Sequence, residues 1–357
     1  MVCFILRKAT NNNVFFIFWI LCIFCLGVII NGCSKSKKAD LFELEWKKSE
    51  KNPVVEPGFY GWDSKQVYTG TILKINDDYR MWYYGNDENG PLEIGIKKSK
   101  DGIDWRKIQD RPVLTNGEND EWDNLRVSKP CVVLEDNLYK MWYLGESRQN
   151  NKIVPKIGLA TSPDGISWSK NESNPIFDLE KYEFPWAVFL RYFWILKEND
   201  HYKMWFSAVG VESYNNIESI GYAWSQDGIN WEVYPQPVLE RDTLSVWEDF
   251  YVSNPCVIKK DSTYYMFYGG LGRYGYLFKE SIGIAKSNDG KYWQKYAKNP
   301  ILFYTEVSDA WDREFVTQPR VLQIKRDLYY LWYTGADKKN TKEELGNYQV
   351  GLAIGKF

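Results

Sequence analysis

Aromatic and β-branched residues alternate with polar residues along most of the chain, in short runs separated by Gly, Asp or Asn about every ten residues. Runs with this period-two alternation, bounded by turn residues, are typical of β-strands joined by hairpins. The pattern therefore predicts an all-β protein.

The runs also repeat, with a period of 62 to 63 residues. The turn sequence Ser-x-Asp-Gly-x-x-Trp begins at Ser99, Ser162, Ser225 and Ser287. An aromatic strand recurs five times, as MWYYG, MWYLG, MWFSA, MFYGG and LWYTG, and an Ile-Gly or Val-Gly pair follows each copy. Each unit is interpreted as four short strands, and such units arranged radially form a β-propeller.

The fifth unit ends with the chain and lacks the strand that follows Asp-Gly-x-x-Trp elsewhere. A matching piece lies near the start, where Trp46 precedes Pro53 by seven residues, as Trp105 precedes Pro112. We expect this N-terminal strand to complete the last unit, because ring closure removes exposed sheet edges. The prediction is an all-β, five-bladed β-propeller over residues 44–357, closed by the N-terminal strand.

The first 32 residues have the pattern of an export signal. Arg7 and Lys8 precede an uncharged run from Val14 to Ile30, and the tetrapeptide ending at Cys33 resembles a bacterial lipobox. We interpret residues 1–32 as a lipoprotein signal peptide, Cys33 as the lipidation site and residues 33–43 as a linker. An uncleaved anchor is the alternative, although 17 apolar residues are few for a span of about 20. Both interpretations export the remaining chain, and we expect a lipid-anchored protein of the cell envelope, at the bacterial outer membrane or cell surface.

Charge and composition exclude several function classes. A net charge of −2 and a pI near 5.8 disfavour a nucleic-acid binder, and a single His nearly excludes His-based zinc sites and His-dependent triads. Cys131 and Cys256 are the cysteines outside the leader and lipid site, and we expect two buried thiols. Oxygen ligands are plentiful enough for a central Ca²⁺, but no motif requires a metal, and we expect no cofactor and a monomer.

Strand alternation divides the loops between the two ends of the predicted propeller. The loop entering each first strand and the loop between the second and third strands emerge on one side, and these loops are long, as at 115–125, 178–189 and 303–314. The turns on the opposite side are tight. Because long loops on one rim of a rigid scaffold usually carry function, we expect the site there.

The opening NPVVEPGFY and the repeated MWYxG…IGxAxSxDGxxWxxxxxNPxL resemble the five-bladed glycosidases of glycoside hydrolase families 43, 32 and 130. The resemblance covers roughly residues 44 to 357. It implies a carbohydrate substrate whose glycosidic bonds are hydrolysed or phosphorolysed, with carboxylates at the central cavity.

One departure from the family pattern concerns the inner strands. In the family an Asp stands just before an inner-strand Pro, whereas this chain has Arg126-Val127-Ser128-Lys129-Pro130, so that Arg126 matches and Lys129 replaces the acid. By counting seven residues from each loop Trp, we align five such positions, none of them acidic: Thr69, Lys129, Phe193, Asn254 and Gln318.

Three carboxylates on the predicted face are candidates for catalysis: Asp63, Glu146 and Glu183. Asp63 lies in PGFYGWDS, which is similar to the family 43 stretch that carries the general base. Glu146 and Glu183 differ from their counterparts in the other repeats. Trp-Asp or Trp-Glu pairs such as Trp62-Asp63 occur in four of the five units, a frequency more typical of a structural feature.

We expect the substrate to be bound by polar side chains of the same face and by a loop Trp stacked on a sugar ring, although packing between blades is the alternative for the Trp. The candidates are Trp62, Asp123, Arg126, Lys129, Arg191, Asp249, Asn254, Asp312, Gln318 and Arg320. Arg126 with Lys129 would also suit a phosphate or a carboxylated sugar.

Three functions are consistent with these observations. The first is an exported glycosidase or glycoside phosphorylase. The second is a non-catalytic carbohydrate-binding propeller, which the acid-free inner positions favour. The third is a propeller that binds proteins of the cell envelope.

Overall fold

The computed structural model of the protein describes residues 40–211, 217–274, 277–337 and 347–357. The predicted leader, residues 1–32, and Cys33 lie outside this range. Within it, the secondary structure is strands and two short 3-10 helices, η1 (Leu41–Glu43) and η2 (Leu179–Lys181), and no described helix is long and apolar enough to cross a membrane. The all-β prediction is confirmed, and residues 44–357 form one compact unit.

The strands fall into five groups of four that follow the sequence repeat. The groups are β2 (Gln66–Ile75), β3 (Asp78–Asn86), β4 (Glu93–Ser99) and β5 (Arg106–Lys107); β6 (Arg126–Glu135), β7 (Leu138–Gln149), β8 (Lys152–Ser162) and β9 (Ser169–Lys170); β10 (Phe189–Glu198), β11 (His201–Val209), β12 (Glu218–Ser225) and β13 (Glu232–Val233); β14 (Tyr251–Lys260), β15 (Thr263–Tyr274), β16 (Leu277–Ser287) and β17 (Gln294–Lys295); and β18 (Phe315–Lys325), β19 (Leu328–Asp337) and β20 (Asn347–Lys356) with β1 (Glu45–Lys48).

Neighbouring strands within each group are antiparallel. The first three groups are separate four-stranded sheets, whereas a single parallel pairing of Glu280 with Phe315 joins the last two into an eight-stranded sheet. In the fifth group β1 lies against β20, with Trp46 opposite Gly355.

A buried Trp of the second strand connects one group to the next. Trp82 is fully buried and donates its indole N–H to the carbonyl of Gly165, in the Asp-Gly turn of the second group, at 2.9 Å. Trp332 of the fifth group donates to Gly102 of the first at 2.8 Å. Burying a side chain of this size contributes about 2–3 kcal/mol, so these residues form the core between the sheets.

The first strand of every group has a register irregularity against the second, at Tyr68/Thr71, Ser128/Cys131, Leu190/Tyr192, Ser253/Cys256 and Thr317/Arg320. A β-bulge of this kind takes residues out of the ladder and redirects their side chains. Lys129, Asn254 and Gln318 occupy it with φ values of 55°, 55° and 52°, a left-handed conformation uncommon for residues other than glycine.

The register corrects the alignment of the third group. Trp194 lies opposite Trp205 just as Cys131 lies opposite Trp142, so Tyr192, rather than Phe193, occupies the position of Lys129. The loop that enters β10 is one residue shorter than its counterparts, and counting from the loop Trp therefore gave the wrong residue.

Candidate active site

The bulges and the starts of the third strands bring a group of polar side chains together, which we call the central cluster: Arg126, Lys129, Glu146, Arg191, Tyr192, Glu218, Ser253, Asn254, Glu280, Thr317 and Gln318. Six of them are predicted site residues, namely Arg126, Lys129, Glu146, Arg191, Asn254 and Gln318. Hydrogen bonds and charge interactions described below link the members.

Glu218 and Glu280 are two buried carboxylates at equivalent positions of β12 and β16. Ser253 donates a hydrogen bond to Glu218, and Asn254 donates one to Oε1 of Glu280 at 3.1 Å. Thr317 also donates to Glu280 and itself accepts from Asn254 at 2.8 Å. The bulge of β14 therefore holds both carboxylates.

The electrostatic surroundings of the two carboxylates differ. Burial, against the opposing hydrogen bonds from Thr317 and Asn254 and together with the charge of Glu218, raises the pKa of Glu280 to about 7. Burial also raises the pKa of Glu218, but Arg191, 3.8 Å away between Nε and Oε2, opposes that rise. Because Arg191 lies beside Glu218, Glu218 carries the negative charge of the two carboxyls and Glu280 carries the proton.

Glu146 forms a third buried carboxylate, paired with Arg126. The guanidinium of Arg126 donates through Nε and Nη2 to Oε2 of Glu146, each at 2.5 Å. The two residues lie opposite each other in the ladder of β6 and β7. Glu146 therefore belongs to the central cluster, and Arg126 compensates its charge directly.

Lys129 occupies the β6 bulge between these ion pairs. Its ammonium lies over the ring of Tyr192, 4.4 Å from the centroid. Burial lowers the pKa of Lys129 to about 7; the nearby Glu146 opposes this effect, and the charges of Arg191 and Arg126 add to it.

Gln318 forms the opposite side of the central cluster. Its carbonyl accepts hydrogen bonds from Tyr84 at 2.9 Å and from Thr334 at 3.3 Å, while its amide donates to the Tyr192 hydroxyl at 3.3 Å. All these partners lie in other strands, so Gln318 fixes the relative positions of three strand groups.

Asp63, predicted as catalytic, has a different environment. It is completely buried, accepts a hydrogen bond from the Tyr83 hydroxyl at 2.6 Å and pairs with Lys107 at 2.6 Å. The predicted substrate ligands Asp123 and Asp312 have the same contacts, with Tyr143 and Lys170 and with Tyr333 and Lys48, respectively; Glu248 pairs with Lys295.

The third group lacks this arrangement and therefore helps to interpret it. There the three positions carry Ala187, Phe206 and Val233, so acid, hydroxyl and ammonium are replaced together. Four groups thus contain a buried Asp/Glu–Tyr–Lys clamp and one contains apolar residues. A substitution of the whole set indicates a structural role, and we do not include Asp63, Asp123 or Asp312 in the candidate site.

The loop Trp residues are packed within their own groups. Trp62 lies over Tyr83, with ring centroids 5.6 Å apart, and Trp122, Trp186, Trp247 and Trp311 contact the equivalent ring. A Cβ on Gly95 would lie 2.5 Å from the Trp62 ring, which explains the repeated Ile-Gly pair. Trp62 is thus a packing residue within its own group, rather than between groups as the alternative interpretation expected.

The remaining predicted residues lie apart from the contacts of the central cluster. Glu183 is exposed in the segment between η2 and β10. Asp249 accepts the backbone N–H of Arg273 at 2.9 Å. Arg320 is buried over Trp194 and lines an apolar cavity of about 480 Å³ at the far ends of the first strands. Cys131 and Cys256 are free and buried, as expected.

Sequence reasoning missed Glu218, Glu280 and Tyr192. A signal for the carboxylates existed: the residue three before the repeated glycine is Leu92, Pro155 and Tyr348 in three groups but Glu in the Glu-Ser-Ile-Gly of the third and fourth. Two acids at one register position of adjacent groups indicate convergence at the centre. Among the described residues, no acidic, His or Cys group is arranged to hold a metal ion.

Comparisons with known proteins agree with this architecture. Residues 44–186 match the Glycosyl hydrolases family 32 N-terminal domain. The uncharacterized protein MT1551 of Mycobacterium tuberculosis is 26% identical over 78% of this chain and 88% of its own length. The 1,2-beta-oligomannan phosphorylase of a Thermoanaerobacter species is 23% identical over 82% of this chain and 95% of its own.

A solved structure extends the comparison to the fold. It was described in a study of the GH130 family of mannoside phosphorylases and of glycoside hydrolases that target beta-1,2 mannosidic linkages in Candida mannan. It superposes with a TM-score of 0.65 at 19% identity, over 87% of this chain and 93% of that one. The resemblance to propeller glycosidases predicted from the sequence is confirmed.

Proposed function

We propose that this protein cleaves glycosidic bonds of an oligo- or polysaccharide, by hydrolysis or phosphorolysis, at the central cluster. The observation that carries the proposal is the pair of buried carboxylates, Glu218 and Glu280, held by one bulge and differing in their electrostatic surroundings. Glycosidic cleavage needs a proton donor for the leaving oxygen and a second group that assists the attack. The similarity to the 1,2-beta-oligomannan phosphorylase supports a carbohydrate substrate.

The proposed roles follow from the surroundings of each carboxylate. Glu280, with its pKa raised to about 7, is protonated in about half of the molecules at pH 7, and the acid form would donate its proton to the glycosidic oxygen. Glu218, beside Arg191, would take a proton from an attacking water in hydrolysis. In phosphorolysis the phosphate itself would attack the anomeric carbon, and Glu280 would still protonate the leaving sugar.

We infer that the five strand groups are the blades of a closed five-bladed propeller formed by residues 44–357. The hydrogen bond from Trp332 to Gly102 supports contact between the fifth and first groups. The pairing of β1 with β20 and the ion pair of Lys48 with Asp312 support completion of the fifth blade by the N-terminal strand.

We also propose that the protein is exported as a monomer and anchored to the cell envelope through a lipid on Cys33, after cleavage of a signal peptide at residues 1–32. The charged start, the apolar run and the lipobox-like tetrapeptide support this proposal. A substrate outside the cytoplasm would follow.

The test is an assay of the purified full chain in mild detergent with plant, yeast and host glycans, each with and without inorganic phosphate. We expect sugar release from at least one glycan, and a requirement for phosphate would identify phosphorolysis. Saturable glycan binding by folded protein, with no release from any glycan, would contradict an enzyme and identify the carbohydrate-binding alternative.

A further inference from the structure

The basic residues of the central cluster are more exposed than their acidic partners. The side chain of Arg126 is 36% exposed while that of its partner Glu146 is 5% exposed, and the values for Arg191 and Glu218 are 47% and 5%. Each pair therefore has its cation toward solvent and its carboxylate beneath. An incoming ligand would meet guanidinium groups first.

These cations have hydrogen-bond donors left over. Arg126 uses Nε and one N–H of Nη2 for Glu146, so that three of its five N–H donors remain. The 3.8 Å separation of Arg191 from Glu218 is too long for a hydrogen bond. Lys129 is half-buried, and no carboxylate oxygen of the described residues lies within 4.0 Å of its ammonium.

The arrangement of charge in the central cluster also favours an anion at its solvent side. Arg126 and Arg191 are permanently charged, and each lies above a carboxylate whose side chain is only 5% exposed. Lys129 is also held at φ 55°, and uncommon backbone conformations of this kind concentrate at ligand sites.

We propose that Arg126, Lys129 and Arg191 form a subsite for the carboxylate of an acidic sugar, so that the glycan is built from, or substituted with, uronic acid residues. Planar guanidinium groups suit a carboxylate, and Lys129 adds a charge between the two ion pairs. The ring of Tyr192 positions the Lys129 ammonium. This inference rests on the proposed function for its substrate but is tested by binding.

The experiment measures binding of the full chain, by calorimetry, to uronic-acid di- and tetrasaccharides and to the same sugars with each carboxylate reduced to the alcohol. We expect at least one acidic sugar to bind ten or more times more tightly than its reduced partner. The preference should weaken as salt rises, since ion pairing with partly exposed cations is screened.

Substitutions of Lys129 test whether this residue causes the preference for acidic over reduced sugars. Loss of a charge-assisted hydrogen bond predicts about 10- to 100-fold weaker binding of the acidic sugar by Lys129→Met, with a smaller loss for the neutral sugar, so that the preference shrinks. Lys129→Arg should retain most of the preference. The matched control is Lys152→Met, an exposed lysine at the start of β8, which should change neither affinity.

Several outcomes would overturn the proposal. One is an acidic sugar that binds no better than its reduced partner; another is an equal preference in Lys129→Met once its unfolding midpoint shows that it is folded. Tight binding of inorganic phosphate alone, with no preference among sugars, would assign the cations to phosphate. Cleavage of neutral glycans without any preference for acidic ones would refute this inference and leave the proposed function standing. Preferential binding of acidic sugars without cleavage would support this inference and contradict the proposed function.

Discussion

Asn254 donates a hydrogen bond to Glu280 across 3.1 Å, while its neighbour Ser253 donates to Glu218. Consecutive residues of one strand therefore hold carboxylates that belong to two different strand groups. The bulge of β14 makes this geometry available, because side chains of consecutive residues in a regular strand point to opposite faces.

Replacement of either carboxylate should abolish turnover without unfolding the protein. Glu280→Gln removes the proposed proton donor, and a loss of about 10²–10⁴-fold in rate is expected from the usual contribution of general acid catalysis. Glu218→Gln should have a similar effect in hydrolysis. The measurement is sugar release by the variants, with unfolding midpoints recorded in parallel.

The control is Glu172→Gln, an exposed carboxylate after β9, which should retain the full rate. Retention of more than half the activity by Glu280→Gln would exclude its role as the proton donor.

The raised pKa of Glu280 predicts that both activity and stability fall as pH rises, over two different pH ranges. Because the acid form is needed, kcat/KM should fall about tenfold per pH unit above about pH 7. The unfolded carboxyl loses its proton near its ordinary value of 4.5, whereas the folded one keeps it, so stability should decline as pH rises from about 4.5 to 7.

The denaturant midpoint of Glu280→Gln should lack this contribution to the decline between about pH 4.5 and 7. The same pH dependence in wild type and variant would assign it to another group.

The buried clamp of Asp63, Tyr83 and Lys107 should stabilise the fold without taking part in turnover. Asp63→Asn breaks a charge-assisted network and should cost about 2–3 kcal/mol in the free energy of unfolding. Sugar release per folded molecule should be unchanged.

The third group provides a matched control for this prediction. Lys97 also lies 4.0 Å from Asp63, and its counterpart in the third group is Ala223. The variant Asp63→Ala, Tyr83→Phe, Lys97→Ala, Lys107→Val therefore copies the third group and removes the polar partners together, so it should lose less stability than Asp63→Asn. Loss of turnover by folded Asp63→Asn would instead return Asp63 to the catalytic candidates.

Much of the fold was predictable from the sequence because the repeated contacts require repeated residues. The Trp62–Tyr83 contact and the glycine beneath it recur in every group as a recognisable pattern. Arg126, Lys129 and Glu146 could be identified because they depart from that pattern within a known motif. The central cluster was thus half predicted.

Glu218 and Glu280 escaped detection because attention to long loops overlooked residues within the third strands. Their convergence depends on how adjacent sheets meet, which no spacing within one repeat reveals. Tyr192 was missed because a loop shortened by one residue shifts the count from Trp186. Asp63 was misleading, since a sequence motif similar to a catalytic one lies here in a structural clamp.

Lys129→Asn should stabilise the protein. Asn254 occupies the equivalent bulge with the same φ of 55°, and Asn tolerates left-handed backbone better than Lys. Relief of this strain, together with removal of a half-buried cation, predicts a gain of about 1 kcal/mol in the free energy of unfolding.

The comparison is Lys152→Asn, a substitution in the regular strand β8, which should give no gain. Destabilisation by Lys129→Asn, measured by denaturant titration, would show that Lys129 is needed for the fold.

The N-terminal peptide of the parent protein should begin at a lipidated Cys33. Cys33→Ser removes the thiol that carries the lipid, and because cleavage of a lipoprotein leader follows lipid attachment, the variant should retain residues 1–32 and lack the lipid. The measurement is the mass of the N-terminal peptide in both proteins. A parent peptide that retains residues 1–32 without a lipid would support the uncleaved anchor.

The bulge in each of the five first strands places residues of the candidate site where strand pairing depends little on their side chains. Thr69, Lys129, Asn254 and Gln318 lie outside the regular ladder pairing, Tyr192 lies next to the irregularity of β10, and each of the five residues belongs to a different strand group. Their side chains can therefore be exchanged one at a time while the strands around them keep their pairing. A scaffold of this kind lets substrate range diverge by single substitutions, and a library restricted to these five codons would sample new specificities on an unchanged framework.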